Sequence, residues 1–200
     1  MSQASAAAAD ADVGSYGTSN RKMVMWAFIG SECMFFASLI SAYVVYMGQS
    51  QTGPYPADLL SVPFITVTTF VLLMSSLTMV LALSAVQGGD RKMGRVWLFM
   101  TPFLGAVFLV GQVIEFTHFW HEGLTLSQNL FGTTFYILTG FHGAHVTVAA
   151  IWMFAIWWLH LKGDITQENA ETVEIAGLYW HFVDIVWIVL FTVIYLMMDV

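Results

Sequence analysis

Charge is scarce in this chain. Of its 200 residues only 10% are Asp, Glu, Lys or Arg, where a soluble domain carries roughly 25%. Basic residues are scarcer still, six in all, so the electrostatic footprint of a nucleic-acid binder is missing. The single cysteine, Cys33, lies within an apolar run, so an intramolecular disulfide is excluded and the thiol count says nothing of the redox compartment. What the chain has in quantity is apolar surface, 58% of residues. A soluble fold of this length buries only about 70% of the surface its unfolded chain exposes, so hydrocarbon is the solvent this composition suits.

The apolar residues are gathered into five stretches, approximately Met23 to Met47, Val62 to Val86, Val96 to Phe116, Phe131 to Leu159 and Ile175 to Met198. Each is long enough for the roughly 20 residues that cross a bilayer core. They are apolar on nearly all faces, and a backbone in lipid must satisfy its own hydrogen bonds, so the expectation is an all-α membrane bundle of five helices over residues 21–200. Turn chemistry separates the spans: Gly53-Pro54-Tyr55-Pro56, Gly88-Gly89-Asp90, and the polar run Gly163 to Glu174. Pro63 and Pro102 are expected in the first turns of their helices, where a missing N–H costs little. Residues 1–20, rich in Ala, Ser, Gly and Asp with no basic n-region, read as a disordered tail and not as a signal peptide.

Arg21, Lys22, Arg91, Lys92, Arg95 and Lys162 all fall in the N-terminal flank, the second loop or the fourth loop. The positive-inside rule then puts the N-terminus in the cytoplasm and the C-terminus outside. Five spans do not divide into the inverted halves of a transporter, and no solenoid period is present. Trp26, Trp97, Trp120, Trp157, Trp158 and Tyr179 sit near span ends, as in an aromatic belt. Thr66, Thr69, Ser76 and Thr78 in the second span read as helix-packing positions that hydrogen-bond across an interface.

Ionisable side chains inside the spans carry what chemistry there is, because an ionised carboxylate at mid-bilayer costs at least ~2.5 kcal/mol. Glu32 stands ten residues beyond Lys22, about 15 Å deep at helical rise. It must be protonated, paired or beside water. Proton handling and a plain interhelix hydrogen bond both remain open to it. Glu115, with Gln112 and His118 three residues away on either side, is expected to reach water or pair locally. Asp184 and His181 share a face and form a candidate carboxylate–histidine pair. His142 and His145, also three apart, invite a metal or haem reading, but no Glu-x-x-His repeat accompanies them. Gly140 and Gly143 beside His142 point instead to close approach by another helix.

These residues also carry a resemblance. Ser31-Glu32 with Phe35-Phe36, Gly89-Asp90-Arg91-Lys92, Glu115-Phe116, Gly140-Phe141-His142-Gly143-Ala144-His145-Val146, and Tyr179-Trp180-His181-Phe182-Val183-Asp184-Ile185-Val186-Trp187 are similar to segments of subunit III of the haem–copper terminal oxidases, in its short five-helix bacterial form. The blocks keep the family's order from Met23 to Leu196. The resemblance implies an accessory, non-redox subunit of a proton-pumping cytochrome c oxidase in a bacterial plasma membrane. It would bind no metal or haem, since the haems and copper lie on subunits I and II. It would pack mainly on subunit I, with subunit II and a small subunit IV as further neighbours and a respiratory supercomplex as the larger setting.

It also implies bound phospholipid, and a Glu32 associated with lipid and with the proton-uptake side. Glu115, His142, His145, His181 and Asp184 are then expected in interhelix or intersubunit hydrogen bonds. A quinol oxidase subunit III is the nearest alternative. An independent membrane cytochrome with haem on His142 or His145, or a small transporter using Glu32 and Asp184, is the alternative of another class.

Overall fold

The computed structural model describes residues 19–49, 62–127 and 129–197. Within them lie five long helices: α1 (Asn20–Tyr46), α2 (Val62–Gln87), α3 (Arg91–His121), α4 (Leu130–Lys162) and α5 (Glu171–Phe191), the last continued by a π-helical turn, Thr192–Leu196. All five are long and apolar enough to cross a membrane. The fold is thus an all-α membrane bundle. The loop motif Gly53-Pro54-Tyr55-Pro56 and most of the N-terminal tail lie outside the described residues.

Local chemistry sets the helix ends. Ser19 caps α1 by accepting from the Lys22 amide at 3.3 Å, so helix begins inside the segment read as a tail, at Asn20. Asp90 caps α3 through the amides of Lys92 and Met93, at 3.0 and 3.1 Å. Asn129 caps α4 through Gly132 at 2.7 Å, and Gly163 ends it in the left-handed region at φ +90°, which a side chain would resist. A short 3₁₀ turn, Gln167–Asn169, leads into α5.

The Asp90 cap also corrects one expectation. Because α3 starts there, ahead of the apolar run, Pro102 lies three turns inside the helix and removes an N–H from its interior. Pro63 does occupy the first turn of α2. With 31 and 33 residues, α3 and α4 are about 46 and 50 Å long, well beyond the roughly 30 Å of hydrocarbon.

α5 is the hub, packing on α1, α2 and α4, while α2 pairs with α3 and α3 with α4. In its most apolar window α5 is 56% buried, against 11% for α1, which rests on α4 and α5 at the edge. The core is built from large side chains, among them Trp180, Trp187, Phe108, Phe119 and Phe135. Glycines permit the close approaches: a Cβ on Gly105 would sit 2.6 Å from the Trp180 ring, and one on Gly111 2.6 Å from Thr68. Trp26, Trp120 and Trp158 are exposed as a belt requires, but Tyr179 is buried, against Phe28, Trp152 and Phe182.

All six basic residues lie at one end of the bundle, the N-terminal ends of α1 and α3 and the C-terminal end of α4. That end is tied together by Lys22 and Glu174 at 2.8 Å and by a hydrogen bond from Ser19 to Glu171, which join the starts of α1 and α5.

Candidate functional site

The ionisable side chains that the sequence singled out inside the spans fall into four groups. In the first, Glu32 of α1 meets His145 of α4, with Oε2 and Nε2 3.1 Å apart. His145 Nδ1 lies 2.7 Å from the Phe141 carbonyl. A carbonyl only accepts, so Nδ1 carries a hydrogen, and the Nε2–Oε2 contact then requires a proton of its own. The pair shares that proton, whichever side holds it. Phe35, Phe36 and Phe141 pack about it, with the Phe36 and His145 ring centroids 4.9 Å apart. Of the ways Glu32 can meet the cost of its depth, pairing is the one the geometry provides.

His142, one turn earlier on α4, is completely buried. Its Nε2 donates to the Val183 carbonyl of α5 at 3.2 Å, which leaves Nδ1 bare and without a partner. The ring lies 4.8 Å from the Trp187 ring and 6.0 Å edge-on from Phe108. The two histidines are three residues apart but serve different neighbours. Among the described residues no three His, Cys, Asp or Glu side chains come together as a metal site. Of the flanking glycines, Gly143 is a close approach, since its Cβ would stand 2.8 Å from Gln112 Oε1. Gly140 has open space.

In the third group, the expected pair of His181 and Asp184 does not form. His181 Nδ1 is hydrogen-bonded to Ser76 of α2 at 2.6 Å. Asp184, 3% exposed, also faces Ser76, but no donor among the described residues stands in hydrogen-bond geometry to either of its carboxyl oxygens. Both side chains lie toward α2, because that helix supplies a row of hydroxyls and α5 faces it. Thr69 accepts from Trp187 Nε1 at 2.9 Å and Ser75 from Trp180 Nε1 at 3.0 Å. Thr78 joins Thr101 of α3 at 2.9 Å. Thr66 bonds its own helix, at the Val62 carbonyl.

The fourth group is at the end of the bundle away from the basic residues. Glu115 Oε2 accepts from Tyr195, on the π-helical turn, at 2.9 Å, while Oε1 is buried and unpartnered. The local partners expected for Glu115 are absent: Gln112 donates across the interface to the Thr139 carbonyl at 3.1 Å, and His118 is exposed. Tyr195, Ser75 and Thr101 therefore belong to this network although sequence reading did not single them out. A signal existed, since a Trp N–H or Tyr O–H in mid-span must find an acceptor.

Chemically, this is a set of helix-to-helix hydrogen bonds with one shared proton at the α1–α4 seam and two carboxyl groups not fully satisfied among the described residues. Comparison with known proteins gives the setting. The family described as cytochrome c oxidase subunit III matches residues 17–198. Cytochrome c oxidase subunit 3 of Bacillus sp. (strain PS3) is 36% identical over 178 residues, covering 89% of this chain and 86% of the relative. Quinol oxidase subunit 3 of Bacillus subtilis (strain 168) is 37% identical over 172 residues, 86% of this chain and 84% of the relative. Cytochrome bo(3) ubiquinol oxidase subunit 3 of Pseudomonas aeruginosa is 36% identical over 172 residues, 86% and 82%. With the matched segment running from the cap of α1 to the end of α5, the chain belongs to the cytochrome c oxidase subunit III family, as subunit III of a haem–copper oxidase.

Proposed function

We propose that this chain is the non-catalytic, non-redox subunit III of a proton-pumping cytochrome c oxidase in a bacterial plasma membrane. Its N-terminus is cytoplasmic and its C-terminus outside, an orientation supported by the clustering of all six basic residues at one end of the bundle. It packs chiefly on subunit I, with subunit II and a small subunit IV close by, and those partners hold the haems and copper. Phospholipid lines its surface.

The observation that carries the non-redox reading is the fate of the imidazoles. His142 is wedged among Val183, Trp187 and Phe108 with no exposure, so no macrocycle fits beside it. His145 has one ring nitrogen on the Phe141 carbonyl and the other on Glu32. The shared proton of that pair supports a place for Glu32 on the lipid and proton-uptake side of the oxidase.

Quinol oxidase subunit III is the second reading, favoured by quinol oxidase relatives as similar to this chain as the cytochrome c oxidase ones. Purification in mild detergent tests both. A haem-bearing large subunit is expected to copurify, and its oxidation of cytochrome c or of quinol names the donor. A Soret band from the isolated chain would overturn the non-redox reading, and substrate movement by the chain alone would replace it with a transporter.

A further inference from the structure

Between α1 and α2 the fifth helix is left uncovered. It packs on both, yet α1 and α2 make no substantial contact with each other among the described residues. α5 turns Gly177, Trp180 and Trp187 to α2, and Tyr179 and Phe182 to α1. The positions between those two rows, Leu178, His181, Ile185, Ile188 and Thr192, fall three or four apart and form one stripe along the helix. Ile185 is 60% exposed and Ile188 44%; Thr192 is exposed, and Leu178 and His181 are half-buried. Leu73 and Val80, exposed on α2 one turn to either side of Ser76, wall the stripe on that flank.

His181 is the polar group of this stripe whose needs the described residues do not meet. The Thr192 hydroxyl donates to the Ile188 carbonyl at 2.9 Å and asks for nothing more. His181 stands ten residues beyond Glu171, where α5 begins, which is about 15 Å along the axis and half of a hydrocarbon core of roughly 30 Å. Its Nδ1 lies 2.6 Å from Ser76 Oγ. Asp184 faces the same hydroxyl without hydrogen-bond geometry, so the one hydrogen of Ser76 lies on Nδ1. A neutral imidazole that accepts at Nδ1 carries its hydrogen on Nε2. Nε2 has no partner among the described residues and is not enclosed by them, so an N–H donor is presented at mid-bilayer in the gap between α1 and α2.

Acyl chains carry no acceptor at that depth and water is absent there, so only another polypeptide satisfies this donor. A second copy of this chain set symmetrically on the same face would bring Nε2–H against Nε2–H, two donors with no acceptor. We infer that the uncovered face of α5 seats a transmembrane helix of a neighbouring oxidase subunit, with His181 Nε2 donating to an acceptor side chain of that helix at the bilayer centre. The rest of the stripe packs against the incoming helix through its isoleucines. The hydrogen bond sets the register of the contact, because a slip of one turn, about 5.4 Å, would carry the acceptor past the imidazole to apolar neighbours. This inference rests on the reading of the chain as an oxidase subunit and adds the face and the atom that a neighbour meets.

The test uses the whole oxidase. A photoreactive benzoylphenylalanine at Ile185, one turn from His181 on the same stripe, is expected to cross-link to one subunit other than this chain. Cross-links to lipid alone, or to a second copy of this chain, would overturn the inference. The same preparation shows whether a haem-bearing subunit copurifies, so failure of the oxidase reading is distinguished from failure of the contact, in which that subunit is present and the probe finds only lipid. His181→Phe keeps a ring and loses the donor; it is expected to release subunit III about tenfold faster in mild detergent, the loss of one hydrogen bond. His181→Gln, whose amide N–H reaches the Nε2 position, is expected to stay close to wild type. Release at the wild-type rate by His181→Phe, or equally fast release by both variants, would show that the outward donor is not the contact.

Discussion

Gly105→Leu is expected to leave the purified oxidase without its subunit III. A Cβ at position 105 would stand 2.6 Å from Trp180 Cη2 and 3.0 Å from Cζ2, inside any real contact distance, and leucine adds three further carbons beyond it. The indole cannot step aside easily. Trp180 is 2% exposed and its Nε1 is hydrogen-bonded to Ser75 on α2, so the ring is held against α3 on one side and α2 on the other. Moving it breaks that bond and leaves a buried N–H unpaired, and keeping it forces α3 outward.

Overpacking a core costs typically 1–3 kcal/mol and sometimes more; losing the hydrogen bond adds about 1 kcal/mol. A total of about 4 kcal/mol corresponds to nearly a thousandfold in the packing equilibrium. Gly105→Ala should show the same effect in reduced form, with subunit III present but released at lower temperature. The measurement is the ratio of subunit III to haem in oxidase purified in mild detergent. Full occupancy in the leucine variant would mean that the α3–α5 contact is looser than the distances state.

The bundle was legible because lipid imposes a severe constraint: five apolar stretches with polar breaks admit few other folds. The pairings inside it were not. Helical spacing puts His181 and Asp184 on one face of α5. It cannot say that the nearest suitable partner for His181 is Ser76 on another helix, because that depends on the crossing of α2 and α5. Pro102 misled for a related reason. The apolar run begins at Val96, but the helix begins at its Asp90 cap, and hydropathy reports where lipid ends while capping decides where the helix does. Glu32 and His145 are 113 residues apart, and neither residue's own helix hints at the other.

That last pair supports the second large effect. Substituting leucine at either Glu32 or His145 should weaken the α1–α4 seam, and substituting both should cost less than the two single effects added. The side chains are 19% and 18% exposed, but on the rim of a membrane bundle the exposed fraction faces hydrocarbon, so an orphaned partner finds no water. His145→Leu leaves the Glu32 carboxyl without its imidazole partner. Glu32→Leu leaves an imidazole still bonded through Nδ1 to Phe141, with a bare Nε2.

The first loss is the heavier, because a carboxyl group has more to satisfy. Each unsatisfied polar group costs about 1–3 kcal/mol, with His145→Leu at the upper end and Glu32→Leu at the lower. In the double variant neither orphan exists, and a coupling of about 1–2 kcal/mol should appear in a double-mutant cycle. Because α1 rests chiefly on α4 and α5 among the described residues, the loss should show as easier thermal release of subunit III from the oxidase. Infrared spectroscopy adds a readout that packing alone would not move: a protonated-acid carbonyl band assigned to Glu32 should be present in His145→Leu and absent from Glu32→Leu. Additive single effects with no such band in His145→Leu would mean that no proton is shared across the seam.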